Sequence, residues 1–525
     1  MVAGIQNHSQ IMAVSGLLVV TRLSKIAISL SAARRYVQKT LFIQLYSKEY
    51  QNRSAPSFSR AINTIYSSSV KWCGDLDVRV ITNNLKPNNT KKLTDKFEVL
   101  LFDNCFSPSE TITMSNIFQT KEVIRLLEEE PADIENANFV CDADSDNVET
   151  YENVVLGGTF DRLHVGHKIL LTEAVLRATK RVVVGVTDDN MVKTKTLPEL
   201  IQPVDKRIDD VKQFLNSIDK TLIYEVVAIS DPFGPTKSDP DLDLIIVSAE
   251  TMRGGEKVNE LRRSTGLQEL KVHCIDLVEF EPDTDVKESK VSSTNTRLDL
   301  LGTRIHQPRE HSQLPLKPYT IGVVGSIASG KSVMTKRLEK FGAKIIDCDK
   351  LAHELYEPGE VCYNEIVTTF GESILSDDGR IDRKKLGAIV FSKTELLEKL
   401  NGIVWPSLLK LLKSRIQKIY KEEMCPVIVV EAAVLLKAGW KDEFHEIWGI
   451  IVSKEEAISR LMERNGLSHD EAEKRWQAGI DNYTVVQNAD VIFATQWKHE
   501  FTQVQADRAW TMLTEHLMKL EKANR

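Results

Sequence analysis

Long apolar runs, paired cysteines and an excess of positive charge are all missing from this sequence. The seven cysteines, Cys73, Cys105, Cys141, Cys274, Cys348, Cys362 and Cys425, are scattered with no CxxC spacing. That excludes a disulfide framework or a zinc ribbon and points to reduced thiols. No run of eighteen apolar residues occurs, so no bilayer-spanning helix is expected. Lys and Arg number 68 against 75 Asp and Glu, a net charge of −7. A nucleic-acid-coating protein is excluded on that balance, and no nucleic-acid partner is expected; a local basic pocket for small phosphates is compatible with it. What is present, 525 residues with 42% hydrophobic and 27% charged, is ordinary globular composition. It allows three or four domains, or two and an extension.

One absence is local. Residues 1–48 hold no Asp or Glu but carry Arg22, Lys25, Arg34, Arg35, Lys39 and Lys48. Their longest apolar run, Ile11–Val20, contains Ser15 and Gly16. This is the composition of an organelle transit peptide, or of a basic segment lying in a membrane interface; a basic extension is the plain alternative. The expectation is a targeting or membrane-associating segment over 1–48, with Met12 as an alternative start. It implies a mitochondrial (matrix or outer-membrane associated) or cytoplasmic protein. Residues 49–150 suggest strands at Val78–Ile81 and Glu98–Phe102, a helix at Glu122–Glu130 and an acidic linker at Asp142–Glu149. They assemble no catalytic set, and a structural or regulatory extension is expected.

From residue 151 the pattern changes. The apolar strand Asn153–Leu156 runs into Gly157-Gly158-Thr159-Phe160-Asp161-Arg162-Leu163-His164-Val165-Gly166-His167. Apolar residues at Leu170, Leu171, Ala174, Val175 and Ala178 then mark a helix. Glycines at a strand-to-helix turn let a ligand approach the backbone, and the helix N-terminus offers N–H groups to phosphate. Histidines three apart, His164 and His167, share one face there and can donate to a triphosphate. A lone histidine in a turn is usually structural; the combination with the glycines and the periodic helix is what argues for function. Later, Ser292-Ser293-Thr294-Asn295-Thr296-Arg297 places hydroxyls and a guanidinium at another helix start. Between them, Lys193 and Lys195 are equal candidates for an acceptor's phosphate, and Arg253 follows the strand Leu242–Ser248.

A second phosphate turn follows the strand Tyr319–Val324. Gly325-Ser326-Ile327-Ala328-Ser329-Gly330-Lys331-Ser332 is a complete Walker A pattern, in which backbone N–H groups cradle phosphates, Lys331 reaches them and Ser332 ligates Mg²⁺. Ala343–Asp349 is the next strand; Asp349 at its end is the best candidate base for an acceptor hydroxyl, with a helix-capping role as the plain alternative. Glu431 ends the apolar strand Val427–Val430 in a Walker-B-like position. Arg460 and Arg464, four apart on a charged helix, suit a lid that closes over phosphates.

The first set of motifs resembles the nucleotidyltransferase superfamily with the His-x-Gly-His signature, in its phosphopantetheine adenylyltransferase branch. The resemblance implies ATP or substrate contacts at Gly157, Gly158, Thr159, Phe160, Asp161, His164, Lys193 or Lys195, Arg253, Ser292, Ser293, Thr294 and Arg297, with His167 catalytic. The second set, Gly325–Asp349 with His353, Pro358 and Gly359, resembles dephospho-coenzyme A kinase. It differs from bacterial members at Trp405, Glu431-Ala432-Ala433 and Gly479. The order, transferase then kinase, is similar to the bifunctional coenzyme A synthases. The implied organisation is an α/β chain: a Rossmann-like nucleotidyltransferase domain over 151–305, a P-loop kinase domain over 318–525, and the extension in front. The implied substrates are ATP, 4′-phosphopantetheine and dephospho-coenzyme A, with Mg²⁺ as cofactor. A different nucleotidyltransferase fused to an unrelated kinase, and a non-catalytic scaffold, are the rival readings.

Overall fold

A parallel strand covered on both faces reads as an unbroken apolar run, as Arg181–Val186 and Val427–Val430 do. The computed structural model describes residues 12–45, 58–82, 85, 96–103, 108–118, 120, 122–126, 149–275, 284–306, 309, 314–390 and 393–523. Among these residues such runs build three five-stranded sheets, every pairing parallel. The chain divides into two compact units, Met1–Thr296 and Arg297–Arg525.

The first unit holds two of the sheets. One comprises β1 (Ala13–Val20), α1 (Ile26–Ala33), β2 (Val37–Leu45), α2 (Phe58–Trp72), β3 (Asp77–Val80), β4 (Val99–Phe102), α3 (Pro108–Phe118) and β5 (Glu122–Arg125), in the order β3-β2-β1-β4-β5. This corrects the reading of residues 1–48 as a membrane-associating segment. The apolar run is the central strand of a sheet, and Leu17, Leu18, Val19 and Val20 are 0% exposed. Its hydrophobicity serves a core covered on both sides rather than lipid. No helix among the described residues is long and apolar enough to cross a membrane. Residues 1–11 and 46–48 of that segment lie outside the described residues.

The strands expected at Val78–Ile81 and Glu98–Phe102 correspond to β3 and β4. The helix expected from Glu122 is corrected: Glu122–Arg125 pairs with β4 as an edge strand. Of the acidic linker Asp142–Glu149, only Glu149 is among the described residues.

The second sheet of this unit comprises β6 (Tyr151–Gly158), α4 (Val165–Arg177), β7 (Ala178–Thr187), α5 (Asp189–Val192), α6 (Val204–Ile218), β8 (Ile223–Ile229), β9 (Leu244–Ser248), α7 (Met252–Ser264) and β10 (Lys271–Ile275). Its order, β8-β7-β6-β9-β10, is that of the first sheet. In both, the chain reverses direction of growth beside the first strand, the place where open α/β sheets bind ligands. The two sheets share one core: Leu18, Leu30, Ile65 and Tyr66 belong to the same buried cluster as Leu171, Val175 and Phe214. The N-terminal region is therefore a domain fused to the transferase fold, not an appendage. Helix α8 (Ser293–Leu300) follows.

The second unit has β11 (Tyr319–Gly325), α9 (Lys331–Lys340), β12 (Lys344–Asp347), α10 (Cys348–Glu354), α11 (Val361–Phe370), α12 (Arg383–Val390), α13 (Thr394–Glu423), β13 (Val427–Glu431), β14 (Glu446–Ile451), α14 (Lys454–Asn465), α15 (His469–Gln477), α16 (Asn482–Asn488), β15 (Val491–Ala494) and α17 (His499–Ala523). The sheet order is β12-β13-β11-β14-β15, with the Walker strand in the centre. Residues expected to end the transferase domain belong here: Gly302 and Ile305 donate to the carbonyls of Ile492 and Asp490, and Arg304 pairs with buried Glu446.

Candidate active sites

The first site is built at the end of β6, where β7 and β9 flank it. The turn holds Phe160 at φ 51° and Arg162 at φ 46°, a left-handed backbone that costs roughly 1–3 kcal/mol per residue and collects at functional sites. His164 is the residue before the first turn of α4. Its ring stacks on that of His167 with centroids 3.8 Å apart. A Cβ at Gly166 would come within 3.1 Å of the His164 ring, so a larger residue there would press that ring out of its present place.

The second signature meets the first. Ser293 Oγ lies 3.3 Å from His164 Nε2 and also donates to the carbonyl of Asp161 at 3.3 Å. Residues 129 positions apart in sequence thus face the same turn. Ser292, Ser293 and Thr294 open helix α8, half-buried. The start of α4 with the two imidazoles, and the start of α8 with its hydroxyls, together form a set of donors suited to phosphate oxygens.

Other expected contacts serve differently. Phe160 is 0% exposed and packs against His167, with centroids 5.2 Å apart. Buried Asp161 accepts from Gln202 N at 3.1 Å and Arg162 Nη1 at 3.0 Å, bracing the turn from inside. Lys193 and Lys195 are both exposed after α5, where Lys193 Nζ donates to Asn190 Oδ1 at 2.9 Å. Arg253 is exposed near the start of α7, and Arg297 is buried within α8. Buried Arg207 went unassigned in the sequence. Its guanidinium donates to the carbonyls of Thr159, Thr187 and Gln202, each at 2.8 Å, and so ties together the ends of β6 and β7.

The second site forms at the end of β11. A Cβ at Gly325 would fall 2.4 Å from the Ile450 carbonyl, so the loop's path requires glycine. Ser326 and Ser329 are buried, and the Ser329 N–H donates to the Ser326 carbonyl at 3.3 Å, which closes the loop into a tight turn. Lys331 Nζ donates to the carbonyls of Gly325 and Ser326, both at 3.2 Å. Burial lowers its pKa, against the opposing charges of Glu431 and Asp349.

Glu431 receives Ser332 Oγ at 2.8 Å and Thr335 Oγ1 at 3.2 Å. A hydroxyl beside a carboxylate fits a hard, oxygen-liganded cation such as Mg²⁺, which keeps waters and takes its remaining ligands from substrate phosphates. Asp347, not Asp349, caps α10, accepting from the N–H of Asp349 and Lys350. The Asp349 carboxylate is left at the mouth of the sheet. Desolvation and the neighbouring Asp347 charge raise its pKa, opposed by Lys331 and His353.

The arginines do not act as a matched pair. Arg460 is committed to the protein: Nη1 donates to the carbonyl of Ala328 at 3.1 Å and to Thr495 Oγ1 at 3.0 Å, and Nη2 to the carbonyl of Thr495 at 2.6 Å. It brackets the Walker loop against the end of β15. Arg464 is exposed, with Nε on Asn465. Ile327 and Ala328 pack against the buried cluster of Ile458, Leu461 and Ala472, so α14 and α15 already rest on the loop. Beside them lies a cavity of about 630 Å³ lined by Gly330, Met334, Arg460, Arg464, Trp497 and Thr502. Trp497 was not legible in the sequence, because it acquires a site only when β15 reaches the Walker loop.

These turns define a class: α/β enzymes that move nucleotidyl and phosphoryl groups. The comparisons are more particular. The dephospho-CoA kinase family model matches residues 319–498, and the cytidylyltransferase-like model matches residues 155–298. A dephospho-CoA kinase of Carboxydothermus hydrogenoformans is 40% identical over 185 residues, 35% of this chain and 89% of the relative. One from Geobacter sulfurreducens is 37% identical over 190 residues, 36% and 96% respectively. A solved dephospho-CoA kinase from Campylobacter jejuni aligns with a TM-score of 0.30 at 25% identity, covering 39% of this chain and 98% of that one. The chain belongs to the dephospho-CoA kinase family, and carries a cytidylyltransferase-like domain ahead of the kinase.

Proposed function

We propose that this chain is an enzyme of two consecutive steps, the last two of coenzyme A biosynthesis. In the first, the phosphate of 4′-phosphopantetheine attacks the α-phosphorus of ATP; a P–O bond forms to the acceptor and pyrophosphate leaves, giving dephospho-coenzyme A. In the second, the ribose 3′-hydroxyl of that product attacks the γ-phosphorus of another ATP, giving coenzyme A and ADP. The observation that carries the reading is the presence of both phosphate turns, each intact at the end of its own sheet, in a chain matching both families.

At the first site no covalent enzyme intermediate is needed. His164, His167, Ser292, Ser293 and Thr294 align the triphosphate and offset the charge that develops on it, with Arg297 and either Lys193 or Lys195 contributing cations. At the second, the Walker loop and Lys331 hold the phosphates, and Asp349 accepts the proton of the attacking hydroxyl. Ser332 and Glu431 would hold Mg²⁺, which supplies charge neutralisation on the β- and γ-phosphates. Arg464 and Trp497 border a cavity wide enough for the nucleotide base. The enzyme acts in mitochondria or the cytoplasm; imaging the full chain fused to a fluorescent protein checks this, and a secretory or nuclear signal would contradict it.

Separated-function variants test the assignment. His167→Ala should lower adenylyl transfer by roughly 10²–10³-fold, as for loss of one transition-state donor, while leaving the kinase step unchanged. Lys331→Ala should do the reverse. Equal loss of both steps from either variant, in folded protein, would refute two independent sites.

A further inference from the structure

The N-terminal sheet grips the one helix whose first turn carries the histidine pair. Lys168 follows His167 directly, and its side chain turns away from the phosphate turn into the seam between the two sheets. There its ammonium donates to Asp77 Oδ1 at 2.5 Å and to the carbonyl of Val78 at 3.1 Å, both on β3. Lys168 is 7% exposed. Arg79 holds the other carboxylate oxygen of Asp77 at 2.6 Å, and reaches Ser217 of α6 at 2.8 Å. One turn further along α4, Thr172 Oγ1 lies 3.2 Å from the Tyr66 hydroxyl. Ser59 Oγ then donates to buried Glu173 at 2.7 Å. Each partner, Asp77, Tyr66 and Ser59, belongs to the N-terminal domain.

An ion pair between a buried ammonium and a carboxylate that keeps about a third of its surface exposed (35%) is a poor way to gain stability. Desolvating two charges cancels most of their attraction, and apolar residues of similar volume would hold the seam as well. What such a pair provides is a fixed register between the elements that carry it. Here the register is that of α4, whose first turn must aim N–H groups and two imidazoles at one phosphate. A cavity of about 580 Å³ borders the pair, lined among others by His164, Lys168, Asp77, Arg79 and Phe214. The seam is thus not filled by side chains around the pair, and at the start of α4 the polar contacts add to the shared apolar core in setting the helix's position. Burial lowers the Lys168 pKa; it would raise that of Asp77 too, but Lys168 and Arg79 hold it below its usual value.

We propose that Asp77 and Lys168 are positioning residues for adenylyl transfer: the N-terminal domain fixes the start of α4 through this pair, and the transferase site is incomplete without it. The proposal rests on the reading of the first site given above. It gives the N-terminal domain a place in the reaction.

The test uses the full chain with Asp77→Asn, Lys168→Met, Lys168→Arg and the exchanged pair Asp77→Lys with Lys168→Asp. Both activities are measured on each sample, well below its first melting transition. Asp77→Asn and Lys168→Met should lower transferase kcat by about 10- to 100-fold, the scale of a displaced catalytic turn, with KM for ATP and the kinase rate unchanged. Lys168→Arg, which keeps the charge, should recover part of the loss, and so should the exchanged pair. A role in stability alone would shift the melting transition and leave kcat of the folded protein intact; that result overturns the proposal, as does parallel loss of both activities. If the unaltered chain itself transfers no adenylyl group, the reading of the first site fails instead.

Discussion

Asp349 shows how much one residue's surroundings decide. Its carboxylate is partly desolvated and sits two positions from Asp347, and both effects raise its pKa from the ordinary value, against Lys331 and His353. A base must be ionised to accept a proton. With Asp349 as the base, the kinase rate should be full above that raised pKa and fall as pH drops through it, on an acid limb displaced upward from the usual aspartate value of about 3.9. Asp349→Asn should remove the limb and lower kcat by roughly 10²–10⁴-fold, the usual range for general acid–base catalysis. A pH–rate profile on dephospho-coenzyme A and ATP checks both; an unchanged rate with the limb in place would assign the proton to another group. Asp349 could be singled out in sequence because it closely follows an apolar run, eighteen residues beyond Lys331, although the strand expected to reach it ends at Asp347 and Asp349 lies in the first turn of α10. That Asp347 takes the cap instead could not, since the choice between two acids one residue apart depends on the angle at which β12 enters α10.

At the scale of elements, legibility followed locality. Both phosphate turns, His164–His167 and Gly325–Ser332, are compact strings of special residues followed by helical periodicity, so strand, turn and helix are all legible within about twenty residues. The N-terminal sheet offers no such string. The turn after β1, Thr21-Arg22-Leu23, has no glycine or histidine, and its anchor, Asp103, lies 82 residues away from Thr21. Strand β1 looked like a membrane-seeking run because an all-buried parallel strand and an interfacial segment share one composition.

The shared core gives a prediction at this scale. Leu18 is 0% exposed in the middle of β1 and belongs to the cluster that continues to α4. Leu18→Ala should cost about 2–5 kcal/mol, as for other large-to-small changes in a core. Because that core is common to the N-terminal and transferase sheets, transferase activity should be lost on heating at a lower temperature. Kinase activity, housed in the second unit, should persist to its original temperature. Thermal inactivation followed by both assays reads this out, and loss of the kinase in step with the transferase would argue against two separate units.

For the whole molecule, the modest net charge of −7 conceals two phosphate sites, one on each compact unit. The economy of the arrangement lies in the chemistry: the first site's product carries the hydroxyl that the second site phosphorylates. The central claim is that one chain performs both steps, and the direct measurement is to incubate the purified full chain with ATP, Mg²⁺ and 4′-phosphopantetheine and follow the products by mass. The account predicts pyrophosphate and dephospho-coenzyme A first, then coenzyme A and ADP, from this protein alone. Dephospho-coenzyme A that never advances, or coenzyme A formed only when dephospho-coenzyme A is supplied, would contradict it.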